Sequence, residues 1–195
     1  MDANVWFSRT LRDWIGLLYL VGDTPPFEVR WTEDVLAEVI YHLRKVHPDW
    51  RGSRITGIRD RLAGVFEGGR VDDFVVEETY QGKDPYDAHV HAAAVASGAD
   101  VLLTFNVSDF ELGGDELPYE VLHPDEFVAL LDDLAPEVVA AAVVANARCW
   151  MARDGEVDLP ARLKAEGCPM FSQRVRHHLL GRAGAVICDV EPPPA

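Results

Sequence analysis

Apolar positions recur at helical spacing along most of this chain, with a few short, continuous apolar runs between the helical stretches. Phe7, Leu11, Ile15, Leu17 and Leu18 predict a first helix over Val5–Leu20, and Asp23-Thr-Pro-Pro ends it. Phe27–Trp31 is short and apolar enough for a strand. Thr32 then precedes Glu33 and Asp34, a cap followed by charges suited to the positive end of a helix dipole. Val35, Leu36, Val39, Ile40, Leu43 and Val46 keep the helical period until Pro48 stops it. Residues 53–66 predict a weaker, arginine-rich helix, and Val71–Glu77 a further strand.

Asp84 fits an N-cap with Pro85 at the first helical position, and that helix runs to Gly98. Val-Leu-Leu-Thr-Phe at 101–105 reads as a strand buried on both faces, and Tyr119–Leu122 as another short strand. Strands alternating with helices imply an α/β fold with a parallel sheet and right-handed crossovers. From Pro124 the pattern is all helical: Asp125–Leu134, Pro136–Ala152, Leu159–Glu166 and Pro169–Leu180, separated by Pro or Gly. The expected organisation is a domain over 1–123, an all-helical C-terminal extension over 124–190, and a disordered Glu-Pro-Pro-Pro-Ala tail over 191–195.

Composition narrows the setting. A chain of 195 residues suits one domain with an extension. No apolar run approaches the roughly 18–20 residues of a membrane span, so no membrane partner is expected. Cys149, Cys168 and Cys188 are odd in number, widely spaced and without a CxxC pair, which fits a reducing cytoplasm rather than a disulfide framework or zinc site. The net charge of −15 is unevenly spread. Residues 71–160 hold 20 acids against 3 bases, whereas 44–70 hold 7 bases against 3 acids and 161–182 hold 5 bases against 1 acid. Phosphate binding depends on a local basic surface, so the acidic total weakens a nucleic-acid reading without excluding it. Arg162, Lys164, Arg174, Arg176 and Arg182 are the candidates for such a surface, with solvated helix charges as the plainer account.

Four acids sit at the edges of apolar runs, where a parallel sheet would gather them. Asp2 would end a first strand, Glu38 lies in the helix after 27–31, Asp87 opens the helix leading into 101–105, and Asp109 follows that strand. Sites in open parallel sheets form beyond the carboxyl ends of strands. Glu38 borders the apolar stripe of its helix by about 60°, at roughly 100° per residue. Clustered carboxylates repel unless a divalent cation neutralises them, so the group points to metal-assisted phosphodiester hydrolysis. Taken singly, each has an ordinary role as helix-end, helix-surface, turn or terminal charge. Asn4, Thr104 and Asn106 are placed to hydrogen-bond the carboxylates, or to serve only as turn and strand-end polar groups. Asp84 competes with Asp87, which is preferred because Asp84 already has a capping role. His89 and His91 point about 200° apart and cannot share an ion; His91 is read as a packing or hydrogen-bonding residue, and His177-His178 as surface.

This arrangement resembles the PIN-domain family of metal-dependent ribonucleases. Asp2-Ala-Asn-Val is similar to the family's opening Asp-x-Asn-Val, and Leu36-Ala-Glu38 to its helical glutamate. Asp84-Pro-Tyr-Asp87-Ala-His-Val-His-Ala-Ala-Ala, followed by Gly98-Ala-Asp-Val-Leu-Leu-Thr-Phe-Asn-Val-Ser-Asp109-Phe, is similar to its third and fourth acidic motifs in order and spacing. The resemblance covers roughly residues 1–123. His123-Pro-Asp-Glu-Phe and the helices after it look like a bacterial subgroup that continues past the core. What the resemblance implies is an RNase-H-like three-layer α/β/α sandwich and an endoribonuclease using Mg²⁺ or Mn²⁺. Asp2, Glu38, Asp87 and Asp109 would be its catalytic and metal-binding residues. It further implies RNA as substrate and, as in VapC-type toxins, an antitoxin partner, with a homodimer as the expected assembly.

Two other readings remain open. A haloacid-dehalogenase-like phosphatase also ends its first strand in Asp-x-Asp, but Asn4 replaces the second Asp and no Gly-Asp-x-x-x-Asp motif follows. A PIN scaffold that binds RNA or a protein without cleaving is the third. The chain's start bears on that choice, because an Asp ending a central strand needs apolar residues before it and only Met1 is supplied. Without them Asp2 would hang from a frayed terminus and neighbouring strands would lose backbone partners. The expectation is therefore that the natural protein begins upstream, through a misplaced start codon or a truncated chain.

Overall fold

The structure is a computed structural model that describes residues 1–77, 80–110, 117–155 and 158–188; for residues 153, 154 and 182–188 it describes the backbone alone. The expected tail at 191–195 lies outside the described residues. The chain divides into two compact units, Met1–Arg12 with Phe27–Pro124, and Asp13–Pro26 with Asp125–Ala195.

In the first unit, Asp2 precedes helix α1, Ala3–Phe7. The single helix expected over Val5–Leu20 is instead two, because Ser8 takes an extended backbone (ψ 118°) and α2 starts at Arg9 and runs to Leu20. The Ser8 hydroxyl accepts from Leu11 N–H at 3.2 Å, capping the new helix. Arg12 then donates to the carbonyls of Trp6 at 2.6 Å and Phe7 at 3.0 Å, satisfying the free end of α1. Helix α3, Glu33–Val46, begins as its sequence dictates, with Thr32 Oγ1 accepting from Val35 N–H. It buries Val35, Leu36, Val39 and Leu43. Helix α4, Gly52–Val65, follows.

The strands are shorter than the pattern predicts. Val101–Leu103 (β1) pairs in parallel with Glu120–Leu122 (β2), in register Val101 to Glu120. In place of strands at 27–31 and 71–77 there is one parallel bridge, Trp31 to Arg70. The physical reason is visible in residues 72–77: Asp72 and Asp73 are solvated and Val75 is 81% exposed, so that segment has no apolar face to bury. Backbone hydrogen bonds still link these pieces in one row. Val71 N–H donates to Trp31 O, Met1 N to Arg30 O, and Asp2 N–H to Leu103 O. Asp2 is therefore not frayed as expected: it is 5% exposed and bonded to the end of β1. Burial lowers the pKa of the Met1 ammonium to about 6, against the raising effect of Asp2. The core of this unit is built by Val5, Trp6, Leu11, Leu36, Val39, Ile55, Leu102 and Phe110.

In the second unit α6 (Pro124–Leu134), α7 (Pro136–Asp154), α8 (Leu159–Ala165) and α9 (Pro169–Cys188) pack around Val128, Val143, Leu163, Phe171 and Val175. Trp14 and Phe171 meet edge to face at 5.0 Å. Asp125 accepts from the first free amides of α9, Met170 N–H at 2.9 Å and Phe171 N–H at 2.8 Å. None of the described helices is long and apolar enough to cross a membrane.

Candidate metal centre

Thr104, the residue after β1, is the hub of a polar lattice. Its hydroxyl donates to Asp2 Oδ2 at 2.6 Å. The same oxygen accepts from Asn4 Nδ2 and from Asn106 N–H, each at 3.0 Å. Asn4 Oδ1 in turn accepts from Phe105 N–H at 3.2 Å. These bonds tie the start of α1 to the carboxyl end of β1, and they are what makes a fully buried threonine tolerable there. Asp2 keeps its second carboxylate oxygen for other work.

Asp84, Asp87 and Asp109 come from the two sides of β1. Asp84 Oδ1 caps the 3₁₀ turn Pro85–Asp87 by accepting from Tyr86 N–H at 2.9 Å. The turn continues into α5, Ala88–Ala96, so Asp87 sits just before that helix rather than within it. Asp109 lies in the 3₁₀ turn Val107–Phe110. Lys83 holds it twice, with its backbone N–H on Asp109 O at 3.0 Å and its ammonium 3.2 Å from Asp109 Oδ1.

Electrostatics report how these acids face one another. The Asp87 carboxyl is pushed up to about 7, first by burial and then by the charges of Asp2, Asp84, Asp109 and Glu38. Glu38 is also raised, by burial and by Asp2, while His89 and His42 pull it down. Tyr80 rises to about 12 through burial and the charges of Asp87, Asp84 and Asp109. All four acids singled out in the sequence thus act at Asp87, with Asp84 beside them. Mutual repulsion among half-buried carboxylates is what a bound divalent cation would relieve, so the donor set fits such an ion. Among the described residues, however, no three acidic, histidine or cysteine side chains stand close enough to hold an ion in this arrangement.

Three residues of this site carry signals the sequence reading did not use. Lys83 and Tyr80 flank the acidic motif from a segment without periodicity, so only the fold brings them in. His89 was set aside on a spacing argument, yet its Nε2 lies 3.4 Å from Glu38 Oε1. His91 Nδ1 hydrogen-bonds the Tyr119 hydroxyl at 2.6 Å.

The basic candidates lie in the second unit. Arg174 is engaged by Asp133 at 2.5 Å and Asp132 at 3.3 Å. Arg162 stacks over Trp150 at 3.9 Å from the ring centroid. Lys164 and Arg176 are exposed, and the Arg182 side chain lies outside the described residues. His178 is not the surface residue expected, since its Nε2 stands 2.6 Å from Asp132 Oδ1; His177 is exposed.

Parallel strands alternating with helices, and an acidic cluster at the carboxyl end of one of them, define an α/β protein with the layout of a phosphodiester-cleaving site. Residues 1–108 match the family model for the PIN domain, more than half of the chain, and the protein belongs to the PIN-domain family. Members of this family are generally nucleases and generally use divalent metals. No curated protein and no solved structure matches the chain.

Proposed function

We propose that this protein is a metal-dependent endoribonuclease of the PIN type, the toxin of a toxin–antitoxin pair acting in the cytoplasm. Asp2, Glu38, Asp87 and Asp109 would hold Mg²⁺ or Mn²⁺. The observation that carries the reading is Asp87, whose carboxyl is raised to about 7 by burial and by the charges of Asp2, Asp84, Asp109 and Glu38 together. A surface role would not collect four other acids around one carboxyl.

When bound, one or two divalent ions supply an activated water and charge stabilisation at phosphorus and the leaving oxygen. The chain's own residues prepare that site. Thr104 fixes the Asp2 carboxylate in one orientation, and Asn4 and Asn106 fix Thr104. Asp84 shapes the turn that presents Asp87. Lys83 restrains Asp109 and places a cation beside it, where a substrate phosphate would be attracted. RNA would be held in part by exposed Lys164 and Arg176; an antitoxin and a second copy of this chain are the protein partners of this reading.

A second reading is a weakly active or inactive scaffold that binds RNA or a protein. The absence of a pre-assembled three-ligand group among the described residues favours it. Mn²⁺-dependent cleavage of a mixed RNA pool by wild type and Asp87→Asn decides between them. Cation-dependent cleavage by wild type alone supports the nuclease. No cleavage by wild type, or equal cleavage by both, overturns it.

A further inference from the structure

His89 occupies the first turn of α5, one side of its ring facing its own chain and the other facing α3. Its Nδ1 lies 2.9 Å from Tyr86 O. A carbonyl only accepts, so Nδ1 must carry the proton of that hydrogen bond, and in the neutral ring Nε2 is a bare lone pair. Nε2 is buried and makes no hydrogen bond of acceptable geometry. It stands 3.4 Å from Glu38 Oε1, within ion-pair range but not aligned as a donor. A lone pair facing a carboxylate oxygen at that separation is repulsive unless a cation lies between them. The whole His89 side chain is 15% exposed, so solvent offers little relief.

We propose that His89 Nε2 is a nitrogen ligand sharing a divalent ion with Glu38. This inference rests on the metal-site reading above. Several features favour a metal over a structural contact. Nδ1–H donated to a backbone carbonyl is the arrangement that orients ligating histidines and fixes their tautomer. Two donor atoms about 3.4 Å apart can bind one ion without either side chain leaving its place. The contact also joins α3 to α5, so an ion there would draw together acids that now stand apart. An imidazole in the donor set disfavours Mg²⁺, which binds oxygen almost exclusively, and favours Mn²⁺ and later transition metals. The centre is therefore a Mn²⁺-selective one.

The test uses the full chain, Mn²⁺ and Mg²⁺ alone, and no RNA. Electron spin-echo spectroscopy of Mn²⁺ bound to wild type should show nitrogen coupling, and His89→Gln should lose it. Calorimetry should show Mn²⁺ affinity falling about 10–100-fold in His89→Gln, with Mg²⁺ affinity changing far less, so the preference for Mn²⁺ shrinks. His91→Gln, a second imidazole two residues away, should keep the coupling, and circular dichroism should show each variant folded. Mn²⁺ bound without nitrogen coupling in wild type, or coupling that survives in His89→Gln, overturns the proposal and leaves the carboxylate site standing. Failure of wild type to bind Mn²⁺ overturns both.

Discussion

Thr104 donates its hydroxyl to Asp2 Oδ2 at 2.6 Å across 102 residues of chain. The threonine is fully buried and also receives hydrogen bonds from Asn4 and Asn106. Thr104→Val keeps the volume and removes the oxygen, leaving a buried carboxylate short of a donor and two donors without an acceptor. The expected cost is about 2–3 kcal/mol of unfolding free energy, read from urea denaturation. Thr104→Ser, which keeps the hydroxyl, should recover most of it. A valine variant within 0.5 kcal/mol of wild type would falsify the account, that threshold being about the scatter of a neutral surface change.

Asp87 makes the metal-free protein pH-sensitive in a predictable direction. Its carboxyl titrates near 3.8 when unperturbed and about 7 when folded. The folded state therefore holds this proton more tightly, and the stability that follows is complete below 3.8 and lost as pH rises through 7. Asp87→Asn removes the charge at every pH. It should match wild type at low pH and exceed it above pH 7, by about 1–2 kcal/mol after discounting the shift for solvent screening of a half-buried group. Melting curves in EDTA at pH 4.5 and 8 measure this. A variant that is less stable than wild type at pH 8 means that repulsion at Asp87 is not the dominant effect there.

Local chemistry made part of this fold readable in advance. Thr32 before Glu33-Asp34 and Asp84 before Pro85 are caps that act within three residues, and both caps form. The Ser8 break in the first helix was readable on the same grounds, but the apolar spacing runs straight through it and hides it. Strand extent was not readable, since a strand exists only where a neighbour pairs with it. At 27–31 and 71–77 that neighbour offers a single bridge. For the site, the acids stood out because clustered charge is unusual at apolar edges. His89 did not, because spacing along one helix says nothing of a glutamate on another.

The bridge at Trp31 depends on a close approach at Gly69. Trp31 N–H donates to Gly69 O at 3.0 Å, and a Cβ on Gly69 would stand 1.7 Å from the Val29 carbonyl oxygen. Backbone cannot yield as a side-chain tip can. Gly69→Ala should cost about 1–3 kcal/mol, whereas Gly68→Ala, with open space around it, should be close to neutral. Equal denaturation midpoints for the two variants would count against the close packing of these segments.

In the second unit, Asp125 is 4% exposed and spends both carboxylate oxygens on the amides of Met170 and Phe171. Charge-assisted capping of this kind is worth about 2 kcal/mol at the upper end of measured caps. Asp125→Ala should expose those two amides to exchange ahead of the rest of α9, a local signature that general loosening would not produce. Unchanged protection at Met170 and Phe171 would show the cap to be dispensable.

The last expectation joins proton and cation at the acidic cluster. A protonated carboxyl does not ligate, so a divalent ion must compete with the proton that Asp87 holds up to about pH 7. Mn²⁺ should therefore raise the melting temperature of wild type more at pH 8 than at pH 5.5. At about 100 times the dissociation constant the gain is about 2.7 kcal/mol. Asp87→Asn starts from a higher metal-free stability at pH 8, because its cluster repels less, but it should respond weakly to Mn²⁺ at both pH values. The two effects have opposite sign in one variant, which separates a metal site from a merely acidic surface. A surface cluster screened by ions would respond to Mn²⁺ and to an equal ionic strength of NaCl alike. If NaCl reproduces the Mn²⁺ shift in wild type, Asp2, Glu38, Asp87 and Asp109 are not ligands, and the nuclease reading fails with them.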